Sequence, residues 1–593
     1  MSKQANVLHL PLRSRLLAAA LERILGLKPL VEVYQRWLEK PGSLAQYAPA
    51  AGLLEHTLDA LDARMDLVHP ERLHKIPEKG PVIFCANHPF GGIEGILLAR
   101  LLLKHRPDLK VLVNGILTRI PEFRDLFIGV DVLSSNSTAK NTAGMKAVCR
   151  HLGMGGALLM FPAGTVASLD LREGRVVERP WTPMLGRLIR RYQASCMPFW
   201  VVGRNSKLFH AMGLIHRRLR TVMLARELSN KQGSTTQIVA GDLLSPKELS
   251  RFHDDQTLTG FLRLNSEVLQ NINQQEAVLP EPQEVLEPPG FNEENLLRDL
   301  AGLDDCLLVT KQEFRVYCVP HARLGSVMTA IAWSRERTFR ASGEGTGLEL
   351  DTDVFDPHYL QLFVWDGVAN KVVGAYRIGR CDEIVKAHGV QGLYSRSLFR
   401  YDEGYIRRLG SALEIGRSFV NLEYQRNPRA LDLLWQGIGA YVAKNPEYHT
   451  LFGCVSISRE HSMLARAFLS DTMLKCFPAR PEFLTDIHPV SPLKVKGKIW
   501  TSRTLESLSD IAIINKLLGS FDQGRRVPVL LRHYLALNGR FVSFTVNHGF
   551  NSSLDGLILV DLRDSPVKYL NRYLGVEGTE RFLQRWKQNE AAA

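Results

Sequence analysis

No apolar run in this 593-residue chain approaches the roughly 18–20 residues that a membrane-spanning helix needs. No short apolar core followed by a cleavage-like site marks a secretory signal either, so the chain is expected in the cytoplasm or on a membrane surface. The eight cysteines (85, 149, 196, 306, 318, 381, 454 and 476) include no Cys-x-x-Cys pair and no Cys/His cluster. That pattern predicts reduced, mostly buried thiols and no metal. Acid is scarce: 61 Asp and Glu stand against 74 Lys and Arg, a net charge of +13. Such a balance suits nucleic acid, anionic headgroups or an acidic carrier protein. No nucleic-acid module and no basic platform interleaved with aromatics accompanies it, which sets nucleic acid aside as a partner.

What is present suffices for two cores, since 45% of the residues are hydrophobic. From 79 to about 244, β-like runs (82–85, 111–114, 157–161, 199–202, 237–240) alternate with helical stretches, the pattern of an α/β domain. Residues 8–66 read as helical, with Leu10, Leu12, Leu16, Leu17, Leu21 and Leu25 among Arg13, Arg15, Arg23 and Lys28. Such a segment either lies in the headgroup plane or packs on its own domain. His216-Arg217-Arg218-Leu219-Arg220 is a basic cluster that fits lipid phosphates, an acidic partner or a solvated helix face. The Pro- and Glu-rich stretch after Glu276 reads as a semi-rigid linker. The expected divisions are a helical region at 1–75, an α/β domain at 76–275, a linker at 276–298 and a second α/β domain at 299–593.

The strongest chemical signal is Asn87-His88-Pro89-Phe90-Gly91-Gly92-Ile93-Glu94, a tight turn directly after an apolar strand. A carboxylate bonded to the far nitrogen of an imidazole fixes its tautomer and stabilises the imidazolium, so His88 and Glu94 are candidates for activating a hydroxyl. This run resembles the first block of the glycerolipid acyltransferases, in which Asn-His-x-x-x-x-Asp carries the base. Phe161-Pro162-Ala163-Gly164-Thr165 resembles their Phe-Pro-Glu-Gly-Thr block, and Met197–Val202 their apolar Pro-containing strand. The resemblance covers about 75–245 and implies substrate-binding roles for Asn87, Gly164 and Thr165. Five residues rather than four separate His88 from its acid, and Ala163 replaces a glutamate associated in that family with a glycerol-phosphate acceptor. The departure implies an acceptor without that phosphate, unless Arg119, Arg124 or Arg204 takes over its recognition.

In the second half, 360–365, an Asp366-Gly367 turn and 371–377 read as a β-hairpin, followed by a strand at 413–420, a helix at 431–442 and a strand at 451–456. That order resembles a GNAT acyltransferase core. Arg335, Phe339, Asp353, Asp356, Arg377, Glu414 and Arg417 fall in the order of the key positions of acyl-homoserine lactone synthases and ornithine N-acyltransferases. The late block 527–535 resembles the latter too. The resemblance implies Glu414 as base or amine anchor and the remaining six as substrate-binding residues. A structural Glu414–Arg417 pair is the alternative.

A coenzyme A site in this fold carries a glycine-rich loop opening a helix, whose amides cradle pyrophosphate. Here 424–430 holds no glycine, which suits a thioester of acyl carrier protein as donor, with no bound cofactor, and with Arg426 and Arg429 meeting the carrier. Together the resemblances imply a bacterial ornithine-lipid type of synthase peripheral on the cytoplasmic face of the inner membrane. The second domain would N-acylate an amino acid with a 3-hydroxyacyl chain, and the first would O-acylate the 3-hydroxyl. A lysophospholipid acyltransferase with an unrelated GNAT-like half, and a surface scaffold of degenerate acyltransferase folds, are the alternatives.

Overall fold

The computed structural model describes residues 27–39, 49–130, 137–171, 174–271, 285, 288, 291–495, 498–500, 502–506, 508 and 510–592. The leucine-rich stretch at 10–25 and most of the expected linker lie outside them. The chain divides into two compact units, Met1–Gln274 with Ile499–Ser507, and Gln275–Lys498 with Leu508–Ala593. Among the described residues no helix is long and apolar enough to cross a membrane.

The first unit is built on seven strands: β1 (Arg64–Val68), β2 (Val82–Ala86), β3 (Lys110–Asn114), β4 (Phe127–Val130), β5 (Ala157–Met160), β6 (Ser195–Val201) and β7 (Thr235–Ala240), ordered β1-β7-β6-β2-β5-β3-β4. Neighbours are parallel except β6 and β7. Every residue of β2 is buried, as expected of a central parallel strand covered on both faces. The helical reading of 8–66 holds for Lys28–Glu39 and Pro49–Ala60 but fails at its end, where 64–66 open β1. Arg-Met-Asp-Leu-Val alternates with period two, and parallel pairing from Arg64 with Thr235 to Val68 with Val239 satisfies its backbone.

The main sheet of the second unit has eight strands: β8 (Leu307–Lys311), β9 (Phe314–Pro320), β10 (Leu360–Asp366), β11 (Lys371–Arg380), β12 (Ala412–Val420), β13 (Thr450–Ile457), β14 (Arg540–Asn547) and β15 (Ser553–Asp561), ordered β8-β9-β10-β11-β12-β13-β15-β14. One neighbouring pair, β12 and β13, is parallel, and its ladder holds only from Ala412–Glu414 to Thr450–Phe452 before the strands part. Gly453 marks the parting point: a Cβ there would lie 1.9 Å from the Ile415 carbonyl oxygen. Opposite Tyr376 of β11, β12 bulges at Arg417 and Ser418, and Arg417 takes a left-handed φ of 46°. A bulge re-aims the side chain it carries, here toward the aspartates described below.

The expected linker end at 298 is corrected. Residues Glu293–Ala301 form a helix, because Asn292 caps it and Leu296 and Leu300 bury one face. The 527–535 block is a helix over Val529–Ala536 following Pro528.

Candidate functional sites

The loop after β2 enters helix α1 (Ile93–Leu103), the helix that carries Glu94 in its first turn. Asn87 does not face outward: its amide donates to the Val201 carbonyl (2.9 Å) and accepts from the Val201 N–H (2.6 Å), locking the loop to β6. Glu94 is fully buried, and its Oε1 accepts from the N–H groups of Phe90 (2.9 Å) and Gly91 (2.8 Å), its Oε2 from Gly92 (3.0 Å). The longer side chain thus gathers the five-residue loop around one carboxylate. Gly91 makes this possible with φ of 91°, where a Cβ would also strike Leu224 and Val166.

Nδ1 of His88 lies 3.0 Å from Oε1 of Glu94, with the ring N–H bent off the hydrogen-bond line. Such bonds commonly align only when substrate is present. Burial pushes the Glu94 carboxyl up, but His88 and the loop amides outweigh it and hold the carboxyl below its usual range. The His88 side chain keeps 19% of its surface exposed.

His88 itself is pinned from three sides. Its N–H donates to Oε1 of Glu178 (2.7 Å), its carbonyl accepts from Ala167 (2.9 Å), and its ring stacks on Phe161 at 4.3 Å. Gly164 (φ 67°) turns the chain back so that its N–H bonds the Phe161 carbonyl, and the Thr165 hydroxyl is buried without a partner. Glu178, which also accepts from the Trp181 indole (2.8 Å) and is raised by burial, went unrecognised in the sequence. It lies 90 residues from His88 and no spacing announces it.

In the second unit, helix α4 (Ser326–Ala341) sets Arg335 and Phe339 one turn apart on its buried face. Arg335 donates to the Asp351 carbonyl (3.1 Å), Asp356 (3.4 Å) and Gln361 (3.0 Å), and pairs with the Asp351 carboxylate. Arg377 pairs with Asp353 (2.6 Å) and Asp356 (3.3 Å) between the rings of Tyr359 and Tyr394. Arg417 reaches Asp351 (3.3 Å), Asp353 (3.2 Å) and the Tyr394 hydroxyl (3.0 Å). Three guanidinium groups therefore face three carboxylates in one buried network, and Asp351 was the member missed in the sequence. Burial raises Asp356, yet Arg335 and Arg377 prevail and hold it below its usual range.

A cavity of about 780 Å³ opens where β12 and β13 part. Phe339, Arg377, Glu414 and Arg417 line it; Arg335, Asp353 and Asp356 stand behind that lining. Glu414 points its carboxylate at three donors, the Tyr359 hydroxyl and the N–H groups of Tyr394 (3.1 Å) and Ser395 (2.6 Å). The sequence offers Glu414 as base or amine anchor, or else as the partner of Arg417; Arg417 instead reaches Asp351, Asp353 and Tyr394. Glu344, Asp555 and His461 also line the cavity and were not singled out in the sequence. At its mouth lie Gln425, Asn427 and the start of helix α5 (Pro428–Lys444). Pro428 has no N–H, Asn427 caps that of Arg429, and Ala430 bonds the Asn427 carbonyl, so these first amides are not free to cradle an anion. Arg426 and Arg429 are exposed there, with Arg429 reaching Gln312 at 2.7 Å.

Residues 66–271 match the Acyltransferase family, and residues 334–436 match the Acetyltransferase (GNAT) domain family. The glycine Nα-acyltransferase of Bacteroides thetaiotaomicron is 29% identical over 317 residues, covering 49% of this chain and 91% of that protein. The L-ornithine Nα-acyltransferase of Brucella abortus is 33% identical over 265 residues, covering 37% and 90%. The lyso-glycine lipid O-acyltransferase of Phocaeicola vulgatus is 27% identical over 167 residues, covering 28% and 57%. The chain is an α/β acyltransferase that joins an O-acyltransferase-like unit to a GNAT-like N-acyltransferase unit, a bifunctional architecture of aminolipid synthesis. It belongs to the L-ornithine Nα-acyltransferase family.

Proposed function

We propose that the second unit N-acylates a small amino acid with a 3-hydroxyacyl chain from acyl carrier protein, and that the first unit then esterifies the 3-hydroxyl with His88 as base. The observation that carries this reading is the joining of two distinct acyl-transfer sites: an imidazole held against a buried carboxylate, and a cavity in a strand splay. The product of one is a hydroxylated lipid that the other can consume. Carrier protein rather than coenzyme A is favoured by the occupied amides at the start of α5, which leave nothing to hold a pyrophosphate, and by Arg426 and Arg429 beside the mouth. Purified protein given ornithine or glycine and a 3-hydroxyacyl carrier thioester is expected to form the N-acyl product, at a rate that falls with added salt. The matching coenzyme A thioester should react at least about tenfold more slowly, given that loop. Equal rates with both donors at every ionic strength would reject the carrier assignment, and no amide with either would reject the N-acyltransferase reading.

The acceptor of the first unit is a lipid, and one face suits an anionic membrane surface. Helices α2 (Lys207–Ile215) and α3 (Arg217–Val222) expose Leu208, Leu214, Ile215, Leu219 and Val222, with Ile215 72% accessible. From 204 to 226 the sequence holds Arg204, Lys207, Arg217, Arg218, Arg220 and Arg226 and no acid. Exposed apolar residues in a stretch of sequence rich in cations and free of acid suit a helix lying among anionic headgroups. The underside of α2 packs Phe209 against Val166 and Met223, close to the loop that holds His88. Flotation with vesicles containing phosphatidylglycerol should recover the protein, and Leu214→Glu/Ile215→Glu should cut that recovery at least about tenfold. Undiminished flotation of the variant would move the membrane face elsewhere.

A further inference from the structure

Resting on the N-acyltransferase reading of the second unit, we propose that Glu344 is the group that takes the proton from the attacking amine, with Glu414 acting as a positioning residue. The geometry points this way from two sides. The Glu414 carboxylate already accepts from the Tyr359 hydroxyl and the Tyr394 and Ser395 amides, so three of its about four acceptor positions are committed to holding the 394–395 turn and Tyr359. Glu344 instead borders the same cavity on a glycine-flanked turn, its own N–H tied to the Phe339 carbonyl at the end of α4 (2.9 Å). Gly343, Gly345 and Gly347 all adopt positive φ, and buried Glu336 fastens this turn by accepting from Thr346 and Gly347. The turn is a built support for one carboxylate facing the cavity.

The groups that share its surroundings are Ser456 on β13, Asp555 on β15, Glu460 and Arg417 on the β12 bulge. Burial, with Asp555 and Glu460 adding to it, pushes the Glu344 carboxyl up to about 8 against the lowering by Ser456 and Arg417. A carboxyl so placed is a far stronger base than an ordinary one and is matched to an amine near neutral pH. Arg417 lies beyond the last paired rung of β12 and β13, where unpaired backbone amides can polarise a thioester carbonyl. His461, paired to Asp522 at 2.6 Å, also lines the cavity.

The substrate ammonium gives a proton to the Glu344 carboxylate, and the freed nitrogen lone pair attacks the thioester carbon, forming C–N. As the C–S bond breaks, the second nitrogen proton passes to sulfur, leaving amide and thiol. Glu344 then returns its proton to water through the cavity.

The test measures kcat/KM for N-acylation against pH in the full-length protein. Wild type should show activity rising with pH through a limb near 8, because a base works only when deprotonated. Glu344→Gln should lower kcat by about 10²–10³-fold and remove that limb, with KM for the acyl donor unchanged. Glu344→Asp should recover part of the rate, and Glu344→Gln should melt higher than wild type above pH 8 because a buried charge has gone. If Glu344→Gln stays within threefold of wild type, or if the limb persists in Glu344→Gln and disappears in His461→Gln, the assignment is overturned. Wild-type protein that acylates no amino acid at any pH would instead sink the underlying N-acyltransferase reading, leaving the two failures distinct. Should Glu344→Gln not fold, Glu344→Asp and the wild-type limb decide: an unshifted limb in Glu344→Asp overturns the proposal.

Discussion

His88→Ala should lower O-acyl transfer by about 10³-fold while leaving N-acyl transfer at the wild-type rate, so that cells making the variant accumulate a mono-acylated lyso-lipid. The structure makes this substitution unusually clean. The main chain of residue 88 is held through its N–H to Glu178 and its carbonyl to Ala167, and neither bond needs the imidazole. The loop amides of Phe90, Gly91 and Gly92 still have Glu94 to bind. What disappears is the imidazole and its stacking on Phe161. The readout is mass spectrometry of lipid extracts from a host without aminolipids of its own. Di-acylated lipid at near wild-type level would remove His88 from the mechanism. Glu94→Gln is a less clean probe. An amide at position 94 must turn its NH2 toward backbone N–H groups, so a lost charge and a lost loop geometry would be read together.

How far this site was legible in the sequence depends on the range of the interactions. His88 and Glu94 share one short loop, so spacing and glycines were enough to find them. Strands β2, β3, β5, β6 and β7 were found from apolar runs, with ends within a few residues of those observed. The 360–377 hairpin was found from its Asp366-Gly367 turn, and the order strand, helix, strand after it matches β12, α5 and β13. Strand β1 was missed because its strand character comes from pairing with Thr235–Val239 far along the chain, which overrode a local helical reading. Glu178 and Asp351 were missed for the same reason: a carboxylate is recognised by what it touches, and the partners that place them in these sites, His88 for one and Arg335 and Arg417 for the other, are distant. Glu344 was hidden because a single acid among glycines reads as a solvent-exposed turn. Only the tertiary fold shows that its neighbours are Arg417, Asp555 and a cavity.

The second large effect is expected from Arg335→Met. Arg335 is fully buried and supplies charge or hydrogen bonds to Asp351, Asp356 and Gln361. Replacing it with a side chain of similar length fills the space but leaves three buried carboxylates facing the two remaining guanidinium groups of Arg377 and Arg417. Breaking one partner of a buried ion network costs about 3–5 kcal/mol, because the stranded charge has neither water nor a counter-ion. Denaturant unfolding of the full-length protein should show the transition of the second unit shifted down by that amount. Adding Asp351→Asn to Arg335→Met should restore a substantial part of it, since the network is then neutral again. The acid limb provides an independent check. Asp356 is held below its unfolded value, so it contributes stability that is present above the unfolded carboxyl range and lost as pH falls through the folded one. Without Arg335 that loss should be shallower. N-acyl transfer should decline along with stability even in the folded fraction, because Asp351 also anchors Arg417, the residue that the β12 bulge aims beside the cavity. An Arg335→Met protein that unfolds at the wild-type denaturant concentration would mean that the three arginines and three aspartates are independent pairs and that water reaches the gap left behind.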